Sequence, residues 1–113
     1  GSDLGVRPIP ERIGYCPSKA GVIMLTKCIA LEYAPKVRVN CVLPGLVRTP
    51  MTEQRFLDAE DPAALEEAYA SLYPLHKMGK VADMANAVRF LSCSEDSGFI
   101  TGEIMNVCGG SLI

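Results

Sequence analysis

The sequence predicts an α/β fold, in which helices cover a parallel β-sheet. Two short runs of β-branched and other apolar residues, VRVNCVLPG and EIMNVCGG, have the composition of strands. A segment with helical character precedes each run, and a charged, helix-prone stretch follows the first one. The resulting order of helix, strand, helical insertion, helix and strand is typical of parallel sheets, because each crossover between parallel strands needs a long connection.

The first strong element is a long apolar helix. Residues 1–14 contain three glycines and two prolines and are predicted to form a loop. The helix is expected to begin near Tyr15 or Cys16, since Pro17 in its first turn loses no helical hydrogen bond, and to end at Pro35. The stretch AGVIMLTKCIALEYA is apolar on several faces, which predicts a deeply packed helix.

The two predicted strands cover residues 37–45 and 103–110. The first loses its polar alternation in its second half, which predicts a strand covered on both faces there. The second finishes in paired glycines that are expected to be structural. Two strands are too few for a stable sheet. Either the chain pairs with another, or it is the back half of a larger α/β domain, and we favour the second.

Shorter helices are predicted around these strands. Prolines interrupt the charged stretch after the first strand, which predicts one or two short amphipathic helices at about 51–58 and 62–73. Asp83 is a candidate N-cap for a helix over residues 84–93, in which apolar residues recur at helical spacing. Residues 94–98, SEDSG, are predicted to form a turn.

Composition and charge narrow the possible functions. The chain has 113 residues, of which 49% are hydrophobic and 21% charged, and this balance is typical of one small ordered domain. A net charge of −2 with scattered basic residues predicts no binding to nucleic acid or to an acidic membrane surface. No apolar stretch approaches the ~18 residues of a membrane span.

The cysteines indicate neither a disulfide framework nor a metal centre. Five cysteines are widely spaced without a Cys-x-x-Cys pair, and the single histidine, His76, has no neighbouring cysteine. This pattern predicts no metal site, and it predicts reduced thiols in a cytoplasmic protein. His76 is expected to be a solvated loop residue.

The most suggestive local pattern is GYCPSKAGV, which places Tyr15 four residues before Lys19. On a helix these positions lie on one face. An ammonium near a phenol favours the phenolate, so the pair has the composition of a proton-exchanging site. A surface lysine beside a half-buried tyrosine is the simpler alternative.

Five segments in a particular order carry a resemblance to a known family. Tyr15 and Lys19 match a Tyr-x-x-x-Lys pair, and Ser2 lies thirteen residues before Tyr15, where that family carries a catalytic serine. Three later stretches, ALEYAPKVRVNCVLPGLVRTPM, PLHKMGKVADMANAVRFL and ITGEIMNVCGG, match the family's following segments. Over nearly all of its length, the chain resembles the C-terminal half of a classical short-chain dehydrogenase/reductase.

The resemblance implies a fold and partners. Residues 1–113 would be the C-terminal portion of a single Rossmann-like, doubly wound parallel sheet with flanking helices, in three α/β/α layers. Residues 50–76 would be a substrate lid inserted into this domain. The implied partners are a small-molecule alcohol or ketone and further copies of the same protein, in a homo-oligomer that is a dimer or a tetramer.

The resemblance also implies a reaction, the interconversion of an alcohol and a ketone by hydride transfer with NAD or NADP. Tyr15 would exchange the proton, Lys19 would lower the phenol's pKa and hydrogen-bond the nicotinamide ribose, and Ser2 would hold the substrate oxygen. The Thr49 hydroxyl and the Val47 backbone would hold the nicotinamide carboxamide. The implied cofactor-binding residues are Tyr15, Lys19, Pro44, Gly45, Val47 and Thr49, and no metal is implied.

Several simpler interpretations stay open. Gly-Ser at the start of a chain is also a common remnant of tag removal, so the spacing to Tyr15 is the argument for Ser2. Thr49 and Pro50 also suit a plain turn from strand to helix with an N-cap. Cys108 stands where the family usually has aspartate, which removes one expected hydrogen bond from the turn.

A second class of function follows from what the sequence lacks. It contains no glycine-rich turn between a first strand and a helix, so residues upstream of residue 1 are expected to bind the cofactor diphosphate. The alternative to an enzyme is a truncated, catalytically inactive fragment that acts at most as an interaction or structural module.

Overall fold

A computed structural model describes all residues from 1 to 113. A short 3₁₀ helix, Asp3–Gly5, comes first, so the predicted loop 1–14 contains one helical turn. The predicted order of helix, strand, helical insertion, helix and strand is confirmed. The elements are α1 (Tyr15–Tyr33), β1 (Cys41–Pro44), α2 (Pro50–Leu57), α3 (Pro62–Ala70), α4 (Val81–Ser92), α5 (Ser94–Ser97) and β2 (Ile104–Val107).

The two strands pair directly and in parallel, as the sequence predicts. Cys41 lies opposite Ile104, and Pro44 lies opposite Val107. The carboxyl ends of both strands therefore lie at the same edge of the sheet, and the segments that follow them meet there. In open parallel sheets this edge is where ligands bind.

Both strands are shorter than predicted. Before Cys41, the Asn40 side chain takes the place of ladder bonds, and its Oδ1 accepts the Glu103 N–H at 3.0 Å. The predicted start at residue 37 is therefore wrong. After β2, Gly109 and Gly110 adopt φ angles of 60° and 90°, which only glycine adopts freely and which end the extended conformation.

Helix α1 begins at Tyr15 as predicted and ends at Tyr33, before Pro35. The prediction that it is deeply packed is wrong, because its only buried residues are Cys16, Thr26 and Ala30. The short 3₁₀ helix and β1 make the main contacts with α1, and much of the helix's apolar surface is exposed. Five large side chains on it are between 39% and 84% exposed: Val22, Met24, Leu25, Leu31 and Tyr33.

The two C-terminal helices differ from expectation at their ends. Helix α4 begins at Val81 rather than at residue 84, and Lys80 rather than Asp83 is its N-cap. Asp83 lies in the first turn, where its carboxylate accepts the Lys80 N–H at 2.8 Å. The predicted turn at 94–98 is also wrong, because residues 94–97 form α5, a single helical turn. The Ser97 hydroxyl supports that turn by donating to the Cys93 carbonyl at 2.8 Å.

Arg38, three residues before β1, links this part of the chain to the C-terminal ends of α4 and α5. Its guanidinium donates to the carbonyl oxygens of Leu91, Ser97 and Ile100 at 3.0, 2.8 and 2.9 Å. A cation is favourable at a helix C-terminus, where carbonyl groups lack helical partners.

The charged stretch after β1 forms two short helices, α2 and α3, as predicted, although α3 ends at Ala70 rather than at residue 73. Arg48 holds the two helices together. Its guanidinium pairs with Glu53 at 3.0 Å and with Glu66 at 2.9 Å, and it lies 4.6 Å from the centroid of the buried Phe56 ring. The hydrogen bond from Arg48 holds the pKa of Glu53 below its usual value.

The chain has a small core and an extended shape. Only 14 of 113 residues are buried. The radius of gyration is 15.7 Å, whereas a compact domain of this length has a radius of about 13 Å.

His76 is exposed in a loop as predicted, and all five cysteines are free thiols. None of the helices combines the length and the apolar character that crossing a bilayer requires.

Candidate active site

Tyr15 and Lys19 lie together in the first turns of α1. The Lys19 Nζ atom is 5.3 Å from the centroid of the Tyr15 ring, and the tyrosine is 44% exposed. Both ion pairs of the chain belong to Arg48, so no carboxylate neutralises Lys19. The pair therefore combines an accessible phenol with a free cation close to it.

Ser2 caps the 3₁₀ helix that packs on α1. Its Oγ accepts the Leu4 N–H at 3.2 Å and donates to Asp3 Oδ1 at 3.3 Å. The 3₁₀ helix approaches α1 so closely that a Cβ atom on Gly5 would lie 2.8 Å from the backbone carbon of Lys19. This backbone contact holds the Ser2 segment on the turn that carries Lys19.

We expect Gly5→Ala to separate Ser2 from α1. The added methyl group cannot avoid the Lys19 backbone, so the free energy of unfolding should fall by about 1–3 kcal/mol. Urea unfolding of the whole protein that carries this chain measures the change. The matched control is Gly21→Ala on α1, where a Cβ meets nothing within 4 Å; there alanine should stabilise the helix by about 0.5–1 kcal/mol. Equal effects of the two substitutions would contradict the close contact.

Residues 44–49 lead from the last residue of β1 to α2, and Gly45 in this segment lies in a tight space. A Cβ on Gly45 would lie 3.0 Å from Tyr73 Cε1 and 3.1 Å from the Cys108 Cα. The Gly45 N–H donates to the Val107 carbonyl at 3.3 Å, which continues the ladder for one residue beyond Pro44. Glycine lets this segment run directly over the turn that follows β2.

Hydrogen bonds then fix the rest of the segment. The Leu46 N–H donates to the Tyr73 hydroxyl at 2.8 Å, and the Thr52 hydroxyl donates to the Val47 carbonyl at 3.0 Å. Thr49 is the N-cap residue of α2, and its N–H donates to Thr52 Oγ1 at 2.9 Å. The turn interpretation of Thr49 and Pro50 is therefore confirmed, and the Val47 N–H is left without a partner in the chain.

The sequence placed Tyr73 within the expected lid, 50–76, but gave no indication that it contacts the 44–49 segment. Its ring packs against Gly45 and Gly109, and it lines a cavity of about 340 Å³ at the carboxyl ends of the strands. Burial raises the pKa of the Tyr73 phenol above its usual value, so Tyr73 stays protonated and carries no negative charge. Nothing in the local pattern around Tyr73 indicates its bond to Leu46.

The structure brings Ser2 and the 44–49 segment to one turn, residues 108–111. Asp3 Oδ2 accepts the Ser111 hydroxyl at 2.7 Å, and Gly45 lies against Cys108. The turn closes through its backbone, since the Ser111 N–H donates to the Cys108 carbonyl at 3.1 Å. The Lys19 backbone contacts the 3₁₀ helix at Gly5, and no hydrogen bond joins the Tyr15 or Lys19 side chain to the 44–49 segment.

The chain is similar to known proteins over its full length. A family described as enoyl-(acyl carrier protein) reductase matches residues 1–111. The 4-formylbenzenesulfonate dehydrogenase TsaC1/TsaC2 of Comamonas testosteroni is 44% identical over 99% of this chain and 44% of its own length. The 3-oxoacyl-[acyl-carrier-protein] reductase FabG of Thermotoga maritima is 38% identical over 99% of this chain and 43% of its own length.

Solved structures agree with the sequence relatives. A short-chain dehydrogenase/reductase from Brucella melitensis, described as a glucose/ribitol dehydrogenase, superposes with a TM-score of 0.85 at 30% identity, over 100% of this chain and 43% of that one. ElxO with NADP bound superposes with a TM-score of 0.88 at 34% identity, over 99% of this chain and 44% of that one. The chain spans less than half the length of these relatives. Its helices and parallel strands match part of their Rossmann fold, and the chain belongs to the short-chain dehydrogenase/reductase family.

Proposed function

We propose that this chain is the catalytic, C-terminal part of an NAD(P)-dependent oxidoreductase that interconverts an alcohol and a ketone. The observation that carries the proposal is the Tyr15–Lys19 pair, with its 5.3 Å separation of ammonium and ring and its unpaired lysine. Two solved relatives support the cofactor class, because one has NADP bound and a 4-hydroxyisoleucine dehydrogenase is complexed with NADH.

In the proposed reaction the bound nicotinamide supplies or accepts the hydride, and this chain supplies position and proton transfer. Tyr15 takes the hydroxyl proton when an alcohol is oxidised and returns it when a ketone is reduced. The Lys19 ammonium, 5.3 Å from the centroid of the Tyr15 ring, is proposed to assist this proton transfer through its charge. Ser2 holds the substrate oxygen and stabilises the charge that develops on it.

The residues after β1 fit the nicotinamide end of the cofactor. The Val47 N–H has no partner in the chain, and Thr49, two residues further on, is the N-cap residue of α2; together they are proposed to offer the carboxamide a donor and a hydroxyl. Pro44 and Gly45 set the close path of this segment. Lys19 is proposed to bind the nicotinamide ribose hydroxyls. No glycine-rich turn occurs within residues 1–113, so these residues are proposed to hold the nicotinamide end only.

Residues 50–76 are proposed to be a lid over the substrate. Arg48 lies within the 44–49 segment and pairs with Glu53 of α2 and Glu66 of α3, so a movement of these helices is coupled to the proposed cofactor segment. Leu57, the last residue of α2, and Leu72, two residues after α3, are more than 60% exposed, which suits contact with an apolar substrate.

The test uses the whole protein that carries this chain. Titration with NADH and NADPH, followed by nicotinamide fluorescence, measures cofactor binding, and loss of nicotinamide absorbance with aromatic, steroid and aliphatic ketones measures turnover. We expect one of the two cofactors to bind and at least one ketone class to be reduced. Failure of both cofactors to bind would overturn the proposal.

A non-enzymatic role is the second candidate. The observation that favours it is that residues 1–113 contain no glycine-rich turn for a cofactor diphosphate. Under this alternative the whole protein binds neither cofactor.

We further propose that the protein forms a homo-oligomer, a dimer or a tetramer, which agrees with the exposed apolar surface of α1. We also propose a cytoplasmic location, which agrees with five free thiols.

A further inference from the structure

A buried carboxylate joins Ser2 to the far end of the chain. Asp3 is 4% exposed, and Ser2 and Ser111 are each 8% exposed. Ser111 lies 108 residues from Asp3, and its hydroxyl donates to Asp3 Oδ2 at 2.7 Å. The other carboxylate oxygen, Oδ1, accepts the Ser2 hydroxyl at 3.3 Å. A buried charge is expensive unless hydrogen bonds satisfy it, and here two hydroxyl groups do so.

No cation contributes to the stabilisation of the Asp3 carboxylate. Both ion pairs of the chain involve Arg48, so no lysine or arginine pairs with Asp3. The Ser2 and Ser111 hydroxyls are therefore the two side-chain hydrogen-bond donors that stabilise the Asp3 carboxylate. When one donor is removed, the carboxylate depends more strongly on the other, because an unsatisfied buried acceptor costs more than a satisfied one.

The hydrogen-bond capacity of Ser2 limits what it offers a substrate. A hydroxyl carries one hydrogen and two acceptor positions. The Leu4 N–H occupies one acceptor position at 3.2 Å, and the single hydrogen points to Asp3. To donate to a substrate oxygen, Ser2 must turn its hydrogen away from Asp3.

We propose that Asp3 and Ser111 position Ser2 for catalysis. The Ser111 hydroxyl donates a hydrogen bond to one oxygen of Asp3 and thereby weakens the hydrogen bond that the carboxylate accepts from Ser2. Asp3 and Ser111 act as positioning residues, whereas Ser2 contacts the substrate. This inference rests on the proposed function for its catalytic consequence, but the geometry of Ser2 is measurable without activity.

The first test is the effect of Ser111→Ala on turnover in the whole protein. Without the Ser111 hydroxyl, Asp3 holds the Ser2 hydrogen more strongly, so kcat should fall about tenfold while the cofactor Kd changes less than about twofold. Ser111→Thr keeps the hydroxyl and should restore most of the lost kcat. In an Asp3→Ala background, Ser111→Ala should have no further effect, since its target is gone. If Asp3→Ala does not fold, Asp3→Asn, which removes the charge, replaces it, and Ser111→Ala should then lower kcat by less than it does in the wild-type background.

The matched control is Ser97→Ala. Like Ser111, Ser97 is buried and its hydroxyl is a hydrogen-bond donor, but its acceptors are main-chain carbonyls and it lies in α5. This variant should lower the melting temperature and leave kcat unchanged. Loss of turnover in Ser97→Ala equal to that in Ser111→Ala would mean that lost stability explains both, and the proposal would be wrong.

The second measurement separates this inference from the proposed function. The Leu4 N–H donates to Ser2 Oγ, so the Leu4 amide resonance in a ¹H–¹⁵N spectrum reports the position of that oxygen. Ser111→Ala should shift the Leu4 resonance, and Ser97→Ala should not. A shift in a protein without turnover would support the positioning and overturn only the proposed function. An unchanged Leu4 resonance in folded Ser111→Ala would overturn the positioning, whatever the activity.

Discussion

Tyr15→Phe is expected to lower kcat of the whole protein by about 1,000-fold or more, because the substitution removes the proton-transferring hydroxyl and little else. The ring stays in place beside Lys19, where the ammonium lies 5.3 Å from its centroid. The Kd of NADH or NADPH, measured by fluorescence titration, should change less than about twofold. Steady-state kinetics with the best ketone gives the loss in kcat.

Lys19→Ala is the informative comparison for Tyr15→Phe. Lys19 is proposed to act on both the phenol and the nicotinamide ribose, so its loss should lower kcat and also weaken cofactor binding. Tyr33→Phe, on the last residue of α1, supplies the control for loss of an exposed phenol and should leave both quantities unchanged. A Tyr15→Phe variant that retained a tenth of the wild-type turnover would show that Tyr15 is not the acid/base, because a positioned proton-transferring group contributes roughly 100-fold or more.

The second large effect concerns the 113-residue chain produced by itself, which is expected to self-associate or aggregate. Only 14 of its residues are buried, and α1 exposes Met24, Leu25 and Leu31 by 57% or more. A two-stranded sheet is marginal in water, and exposed apolar surface of this kind favours association. Sedimentation velocity should give species larger than a monomer, and circular dichroism should give a broad thermal transition.

A charged variant provides the control for this association. Leu31 is 84% exposed, so Leu31→Glu places a charge on the apolar surface of α1 without disturbing a packed residue. This variant should associate less than the unaltered chain. A sharp, cooperative melt from a monomer would contradict the expectation, and a melting temperature raised by NAD(H) or NADP(H) would place a diphosphate site within these residues.

Sequence reasoning succeeded where the physics is local. Proline in the first turn of a helix costs little, and α1, α2 and α3 each carry a proline there. The β-branched residues predict the two strands, and the helices between them predict their parallel pairing. The errors lie at the ends of elements. The Asn40 side chain bonds to Glu103 in place of a longer β1, and Asp83 lies in the first turn of α4 rather than at its N-cap position.

The candidate site was only partly accessible to the sequence. The Tyr15–Lys19 pair is visible there because four residues on a helix return to the same face. The bond from Leu46 to Tyr73 and the bond from Ser111 to Asp3 leave no local signal, since the partners are 27 and 108 residues apart. Family resemblance does not supply them either, because it concerns the matched motifs and not these contacts.

The sequence by itself determined the order of the elements, the α/β class, the helical turn that carries Tyr15 and Lys19, and the glycine-containing segment after β1. Each depends on propensities and periodicities that act over a few residues. Only the tertiary structure decided that α1 is largely exposed, that Tyr73 holds Leu46, and that Ser111 reaches Asp3 beside Ser2. Burial and long-range hydrogen bonds depend on which distant segments share one edge of the sheet, and that is a property of the assembled fold rather than of any stretch within it.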